Sequence, residues 1–376
     1  MVEPPHEPPA SRPAAITMVR YNFEYERRVR ALHVGCGGHS FRNILPCYRY
    51  APVELVGVVD VQGVRAEEFA RQYGAASAHS SVERALEELR PEAVFLVTGY
   101  HPDGRPTSPE LAVQVMRAGA DAWVEKPPAA STAEVREMQA VERETGRFTM
   151  VGLKKMFFPA IRKAREILCR SEFGRLTSLY VKYPQGLPAT DRFSDRKSMQ
   201  GFLDHLCHPA SVLYTLGGPV ETLYYQREPA NGAVIANLRF RSGAVGCLHL
   251  CAGRSGSSPL ERVEAVGQGA NVVVENGCKL TYYRPGRRGE GGYGRAEDFI
   301  GADEHAPLHW EPEFSLGELY NSGHFLLGYA QEIRHFAECA LARTRPEWGG
   351  LDAALEVTAL YEAFLEGEGR VIPLCA

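Results

Sequence analysis

The chain has 376 residues, of which 44% are hydrophobic and 23% charged, and its 42 Lys and Arg against 46 Asp and Glu give a formal charge of −4. At about 150 residues per domain this length suggests two domains, and the composition supplies a core for each and excludes disorder over most of the chain. So even a charge balance offers no field for a phosphate backbone or an anionic bilayer, so neither nucleic acid nor membrane is expected as a partner.

Residues 1–29 are proline-rich and polar and read as a flexible tail. They lack the apolar stretch of a secretory signal, no run reaches the 18 or so apolar residues of a membrane span, and the nine cysteines are scattered singly. A reduced, cytoplasmic protein is expected.

ALHVG (31–35) and ELVGVVD (54–60) read as buried parallel strands, joined by SFRNILPCYRY, a helical segment that its proline should kink. RAEEFARQYG is a helix closed by Gly74. Helix then strand recurs in SVERALEELR–AVFLVTG and PELAVQVMRAG–DAWVEKP, and FTMVGL closes the unit near residue 152. This alternation predicts an α/β Rossmann domain over 30–152, with a doubly wound parallel sheet.

The texture then changes. FPAIRKAREILCR is a helix, RLTSLYVKY a strand, and 202–216 a helix in which Pro209 fits only the first turn, so that it should begin close to Asp204. YYQRE, AVIANLRF, AVGCLHLC, RVEAVG, NVVVE and KLTYYR are strands broken by Gly, Asn and Pro. An α+β domain with a large, mostly antiparallel open sheet is expected over 153–376. Its 285–310 stretch reads as a glycine-rich exposed loop carrying Arg287, Arg288 and Arg295, and helices near 323–343 and 351–366 end the chain.

Gly35-Cys36-Gly37-Gly38-His39-Ser40 follows the first strand and opens the first crossover, the context that a dinucleotide fingerprint requires. Gly35 permits the turn, Gly37 lets backbone approach a pyrophosphate, and the small Ser40 stands at the third glycine position, with Gly38 and His39 between. Asp60 ends the second strand, where a carboxylate accepts from ribose hydroxyls and favours NAD; Arg65 keeps NADP as the alternative. Thr98 and Glu125, at the ends of later strands, complete the expected cofactor contacts.

Lys126, in the strand-end sequence Glu125-Lys126-Pro127, reaches the nicotinamide end, where burial and a cationic ring should lower its pKa. In GFLDHLCHP, Asp204 and His208 are four apart and share a helix face, so that the carboxylate would orient the imidazole and raise its basicity. His205 points elsewhere. Neither Asp204, His205 and His208 nor Cys247, His249 and Cys251 shows the further ligands of a zinc site, and no metal is expected. Tyr282 and Tyr283 suit either a sugar face or sheet packing.

Together the glycine turn, Asp60, the strand-end EKP, G-x-x-D-x-x-x-H and the segment VGLKKMFFPAIRKA resemble the Gfo/Idh/MocA family, the glucose-fructose oxidoreductase and inositol dehydrogenase group, over about residues 30–376. The resemblance implies that Lys126, Asp204 and His208 line a substrate site, that the second-domain sheet mediates a homodimer or homotetramer, and that a cis Lys126–Pro127 bond fits. Leu206 and Ser211 depart from the residues frequent in the family. The implied reaction moves a hydride between nicotinamide and a carbinol or ketone carbon of a sugar, aminosugar or cyclitol, with His208 handling the hydroxyl proton, Lys126 stabilising the oxygen, and Asp204 orienting His208 or binding a neighbouring hydroxyl. An NAD-dependent glycosidase of the same family and a non-catalytic NAD-binding sensor are the alternatives.

Overall fold

Uninterrupted runs of Val, Ala and Leu form strands covered on both faces. In a computed structural model describing residues 25–285, 306–312 and 322–374, β1 (Val29–Val34), β2 (Val53–Val59), β3 (Ala78–His79), β4 (Ala93–Leu96), β5 (Asp121–Val124) and β6 (Thr149–Val151) make one parallel sheet in the order β3-β2-β1-β4-β5-β6. The crossovers are α1 (Gly63–Tyr73), α2 (Val82–Leu89), α3 (Ser108–Arg117) and α4 (Thr132–Thr145). The order reverses between β1 and β4, and the crevice at their carboxyl ends is where such sheets take ligands. α4 begins with a capping box, in which Ser131 Oγ accepts from Glu134 N while Glu134 accepts from Ser131 N. The predicted tail up to residue 24 and residues 286–305, with Arg287, Arg288 and Arg295, lie outside the described residues.

The crossover after β1 departs from a kinked α-helix: it is a π-turn over Ser40–Ile44 running into a 3-10 segment, Leu45–Tyr50. Pro46 has no N–H to return to Arg42. The Arg42 carbonyl accepts from His324 Nε2 instead, at 2.8 Å.

Beyond α5 (Pro159–Leu168), β7 (Ser178–Tyr183) and α6 (Arg196–Gly217) lead into β8 (Val220–Arg227), β9 (Val234–Phe240), β10 (Val245–Leu250), β11 (Arg262–Val266), β12 (Asn271–Glu275), β13 (Lys279–Tyr283) and β14 (Leu308–Trp310). With β15 (Ile372–Pro373) they form a second sheet, β14-β13-β12-β11-β7-β10-β9-β8-β15, antiparallel except between β7 and β10. The pattern in β9 is strict alternation, with Val234, Ala236, Leu238 and Phe240 buried and the residues between them exposed. β14 lies within the stretch read as a loop and pairs with β13. Tyr282 is buried and Tyr283 exposed, so Tyr282 packs the sheet.

α7 (Ser322–Leu326) and α8 (Tyr329–Ala342) replace one predicted helix, interrupted at Gly328, whose φ of 74° is left-handed. α9 (Leu351–Leu365) lies between α4 and α6. Its Glu362 accepts from Thr132 N at 2.9 Å and from Thr132 Oγ1 at 2.8 Å. Phe336 of α8 stacks edge-on against Phe95 of β4, 5.0 Å between centroids, so the C-terminal helices share a core with the first sheet.

The start of α6 corrects the expectation from Pro209. The helix begins eight residues earlier than Asp204, where Asp195 caps it by accepting from Lys197 N and Ser198 Oγ, and Pro209 sits in its interior. The cost of one missing N–H is outweighed by the buried face of Met199, Phe202, Leu203, Leu206, Ala210 and Leu213. No described helix is long and apolar enough to cross a membrane.

Candidate active site at the sheet switch point

The glycine turn is held from four sides. Gly35 has φ 96°, and a Cβ there would fall onto the Val97 carbonyl oxygen and within 2.9 Å of its carbon. Only glycine fits between β1 and β4. The Gly35 carbonyl accepts from Ser40 Oγ at 2.5 Å and from His33 Nε2 at 3.0 Å. Because a carbonyl only accepts, Nε2 carries the ring proton and Nδ1 accepts from Tyr48 OH, at 2.7 Å. Burial lowers the His33 pKa to about 4, with the Gly35 bond opposing it. Asp60 ties the turn to β2: Oδ2 accepts from Cys36 N and Oδ1 from Gln62 N, both at 2.9 Å, with Arg65 Nη1 at 3.9 Å.

These residues fit a dinucleotide. Among the described residues nothing lies within 4 Å of a Cβ built on Gly37, so its backbone is open to close approach, whereas Gly38 faces the Arg42 guanidinium. Each Asp60 oxygen retains a lone pair for a hydroxyl. The Thr98 and Thr107 hydroxyls are hydrogen-bonded at 2.7 Å at the same sheet edge, and His39 Nε2 lies 3.4 Å from Glu125 Oε2, joining the turn to the end of β5.

Lys126 and α6 meet here. Lys126 precedes a cis bond to Pro127, and its Nζ donates to Asp204 Oδ1 at 2.8 Å, with Glu125 Oε1 at 3.9 Å. Burial alone would lower the Lys126 pKa; the charges of Glu125 and Asp204 and the Asp204 hydrogen bond outweigh it and raise the pKa. This reverses the expected direction and holds the amine cationic. Asp204 binds Lys126 and Tyr100, whose hydroxyl donates to Oδ1 at 3.1 Å, rather than His208. His208, one turn further along α6, is therefore not made more basic. Burial, and then the charges of Lys155, Lys154 and Lys126, hold it neutral with a pKa well below 6.5. Its ring lies 6.0 Å from that of Tyr183.

A buried polar layer lies behind this grouping. Lys154 Nζ donates to Tyr329 OH at 2.8 Å, and burial, reinforced by Lys155, lowers its pKa to about 8. Lys155 pairs with Glu261. Glu332 is fully buried, and neither carboxyl oxygen accepts a hydrogen bond from any described residue. Burial and the neighbouring Glu125 push its carboxyl well above the usual range, which favours its protonated form. Tyr100, Lys154, Tyr329 and Glu332 belong to no motif in the sequence that marks them as site residues. Two lysines directly after a buried strand, and a tyrosine at a strand's carboxyl edge, were the available signals. Elsewhere, His249 of the β10 Cys-His-Cys run bonds Tyr180 OH at 3.2 Å. A cavity of about 710 Å³ at the amino edge of the first sheet, lined by Arg90, Arg117, Asp121 and Arg343, shares no residue with the Lys126 site.

A doubly wound sheet with an open glycine turn, joined to a helix and antiparallel sheet that bring an aspartate and a histidine to its switch point, defines a two-domain dinucleotide-binding class. Residues 29–153 match the family model described as the oxidoreductase family with an NAD-binding Rossmann fold, and residues 161–273 match the GFO/IDH/MocA C-terminal domain. The chain belongs to the Gfo/Idh/MocA family. It is 29% identical to mouse trans-1,2-dihydrobenzene-1,2-diol dehydrogenase over 45% of this chain and 49% of that protein, and so spans about half the length of such curated relatives. Identity to the scyllo-inositol 2-dehydrogenase (NAD(+)) of Bacillus subtilis (strain 168) is 23% over 88% of this chain and 92% of that one. Among solved structures, an Agrobacterium radiobacter oxidoreductase in complex with NAD+, L-tartaric acid and magnesium shares the fold at TM-score 0.74 and 14% identity, covering 92% of this chain and 98% of that one. WlbA dehydrogenase of Bordetella pertussis, in complex with NADH and UDP-GlcNAcA, does so at TM-score 0.67 and 21% identity, covering 93% and 100%.

Proposed function

We propose that this protein is an NAD(P)-dependent oxidoreductase acting on a carbinol or ketone carbon of a sugar, aminosugar or cyclitol, with NAD preferred. The observation that carries the reading is the 2.8 Å bond from Lys126, at the end of β5, to Asp204, one turn before His208 on α6. Gly35, Gly37, Gly38, His39, Ser40, Asp60, Thr98 and Glu125 would hold the dinucleotide, which when bound supplies the hydride acceptor or donor. An uncompensated Asp60 carboxylate would repel a 2′-phosphate; Arg65, 3.9 Å away, tempers that repulsion.

Lys126, held cationic, donates to the substrate oxygen and stabilises the negative charge that develops on it. His208, held neutral, accepts the hydroxyl proton during oxidation. Asp204 keeps the amine in place and offers an acceptor to a neighbouring hydroxyl. The names of the dihydrodiol and inositol dehydrogenases, and a structural neighbour holding a nucleotide sugar, support a polyhydroxylated substrate. Ile235 and Val245, exposed on the outer face of the second sheet, suit a homodimer or homotetramer built there.

The test is a panel of inositols, sugars, aminosugars and nucleotide keto-sugars with NAD(H) and NADP(H), followed at 340 nm. Lys126→Ala and His208→Ala should each lower turnover of an accepted compound about 100-fold or more while leaving NAD affinity nearly intact. A panel without turnover, or variants as active as the parent, would sink the assignment.

A further inference from the structure

One loop of the first lobe grips the catalytic helix at two points. Between β4 and α3 the chain folds back on itself: His101 N donates to Arg105 O at 2.7 Å, Tyr100 bridges Pro106, and Thr107 Oγ1 donates to Gly99 O at 3.0 Å. At the tip, Gly104 has φ 89°, and a Cβ there would lie 3.0 Å from Lys197 N and Cα, so loop backbone rests directly on the first turn of α6. Asp103 Oδ2 stands 3.9 Å from Arg196 Nη1 beside it. At the base, the Tyr100 hydroxyl donates to Asp204. Lys197 and Asp204 are seven residues apart, two turns and about 10 Å along one helix face, so the loop lies along that face rather than touching it at one point.

The two oxygens of Asp204 are unequally occupied. Oδ1 accepts from both Lys126 Nζ, at 2.8 Å, and Tyr100 OH, at 3.1 Å. Among the described residues Oδ2 has only His205 Nδ1, at 3.7 Å and beyond hydrogen-bond range, and that ring nitrogen is engaged with the Gly201 carbonyl at 2.9 Å. A carboxylate with one oxygen held by two donors cannot rotate freely, and its second oxygen is left as an acceptor. Burial and the Asp204 charge raise the Tyr100 pKa, so the phenol keeps its proton and acts as a donor.

We propose that Tyr100 is a positioning residue for the reaction: its hydroxyl and Lys126 together lock Asp204, leaving Oδ2 to receive a substrate hydroxyl. This rests on the function proposed above. The role belongs to the loop of this chain that docks on α6, and it acts through Asp204, not on the reacting atoms.

A double-mutant cycle of Tyr100→Phe, Asp204→Asn and their combination tests it, using full-length protein and the panel compound that the parent oxidises fastest. Tyr100→Phe should lower kcat/KM about tenfold, chiefly through KM, with NAD affinity unchanged. In the Asp204→Asn background the same change should have less than about a twofold effect, because the group it acts through is gone. Effects that multiply in the double variant, or an equal loss of NAD affinity, would overturn the role. If no panel compound is turned over, the proposed function fails separately, and the cycle is read from urea unfolding midpoints. Tyr100→Phe must then shift the midpoint only where Asp204 is present; equal shifts in both backgrounds overturn the proposal.

Discussion

Gly35 and Gly37 are two residues apart, and the structure assigns them opposite liabilities. At Gly35 a methyl meets the Val97 carbonyl and the backbone is at φ 96°. Left-handed backbone costs an ordinary residue about 1–2 kcal/mol, and forcing the clash apart adds about 1–3 kcal/mol, so Gly35→Ala should destabilise the protein by about 2–5 kcal/mol. At Gly37 a methyl meets none of the described residues within 4 Å. Gly37→Ala should therefore fold with stability within about 0.5 kcal/mol of the parent. In the proposed binding mode its methyl nevertheless occupies the surface that the pyrophosphate would approach. Losing one charge-assisted backbone hydrogen bond, about 1.5–3 kcal/mol, would weaken NAD binding by about 10- to 150-fold. Urea unfolding measures the first quantity and calorimetric titration of NAD+ the second. Gly37→Ala binding NAD+ as tightly as the parent would place the pyrophosphate elsewhere and refute the reading of the turn.

Three pH predictions follow from buried groups. The folded protein resists protonating His33, whose pKa falls from 6.5 to about 4, while the unfolded chain takes up that proton readily. About 3 kcal/mol of stability present above pH 6.5 should thus be lost as the pH falls toward 4, and a His33→Gln variant, though less stable at pH 7, should lack that slope. Lys154 works on the other side of neutrality: with a folded pKa of about 8 against 10.5, the unfolded chain binds the extra proton between those values. Parent stability should rise relative to Lys154→Met as pH climbs from 8 to 10.5, and parallel urea curves across that window would contradict the assignment. Because His208 is held neutral well below pH 6.5, the acid limb of kcat/KM for oxidation should fall below that value, and a limb at pH 7 that disappears in His208→Asn would show its pKa to be raised.

What could be read from the chain and what could not divide along the reach of each interaction. Strand runs, Gly35 after β1, Asp60 after β2, and Lys126 at a strand end are written in adjacent residues, since burial on both faces and left-handed turns select residue types locally. The shared face of Asp204 and His208 likewise follows from helical spacing alone. Pro209 misled because a local penalty was set against a buried helix face that appears only after folding. Asp204's partners lie 78 and 104 residues away, at Lys126 and Tyr100, and no spacing rule connects them. Protonation belongs to the same category: two carboxylates beside Lys126 raise its pKa and keep it charged, and burial of the Glu332 oxygens raises that carboxyl well above its usual range. Periodicity along the chain specifies which elements form, whereas the charge state of each site group depends on desolvation and on neighbours that only the packed molecule brings within a few ångströms.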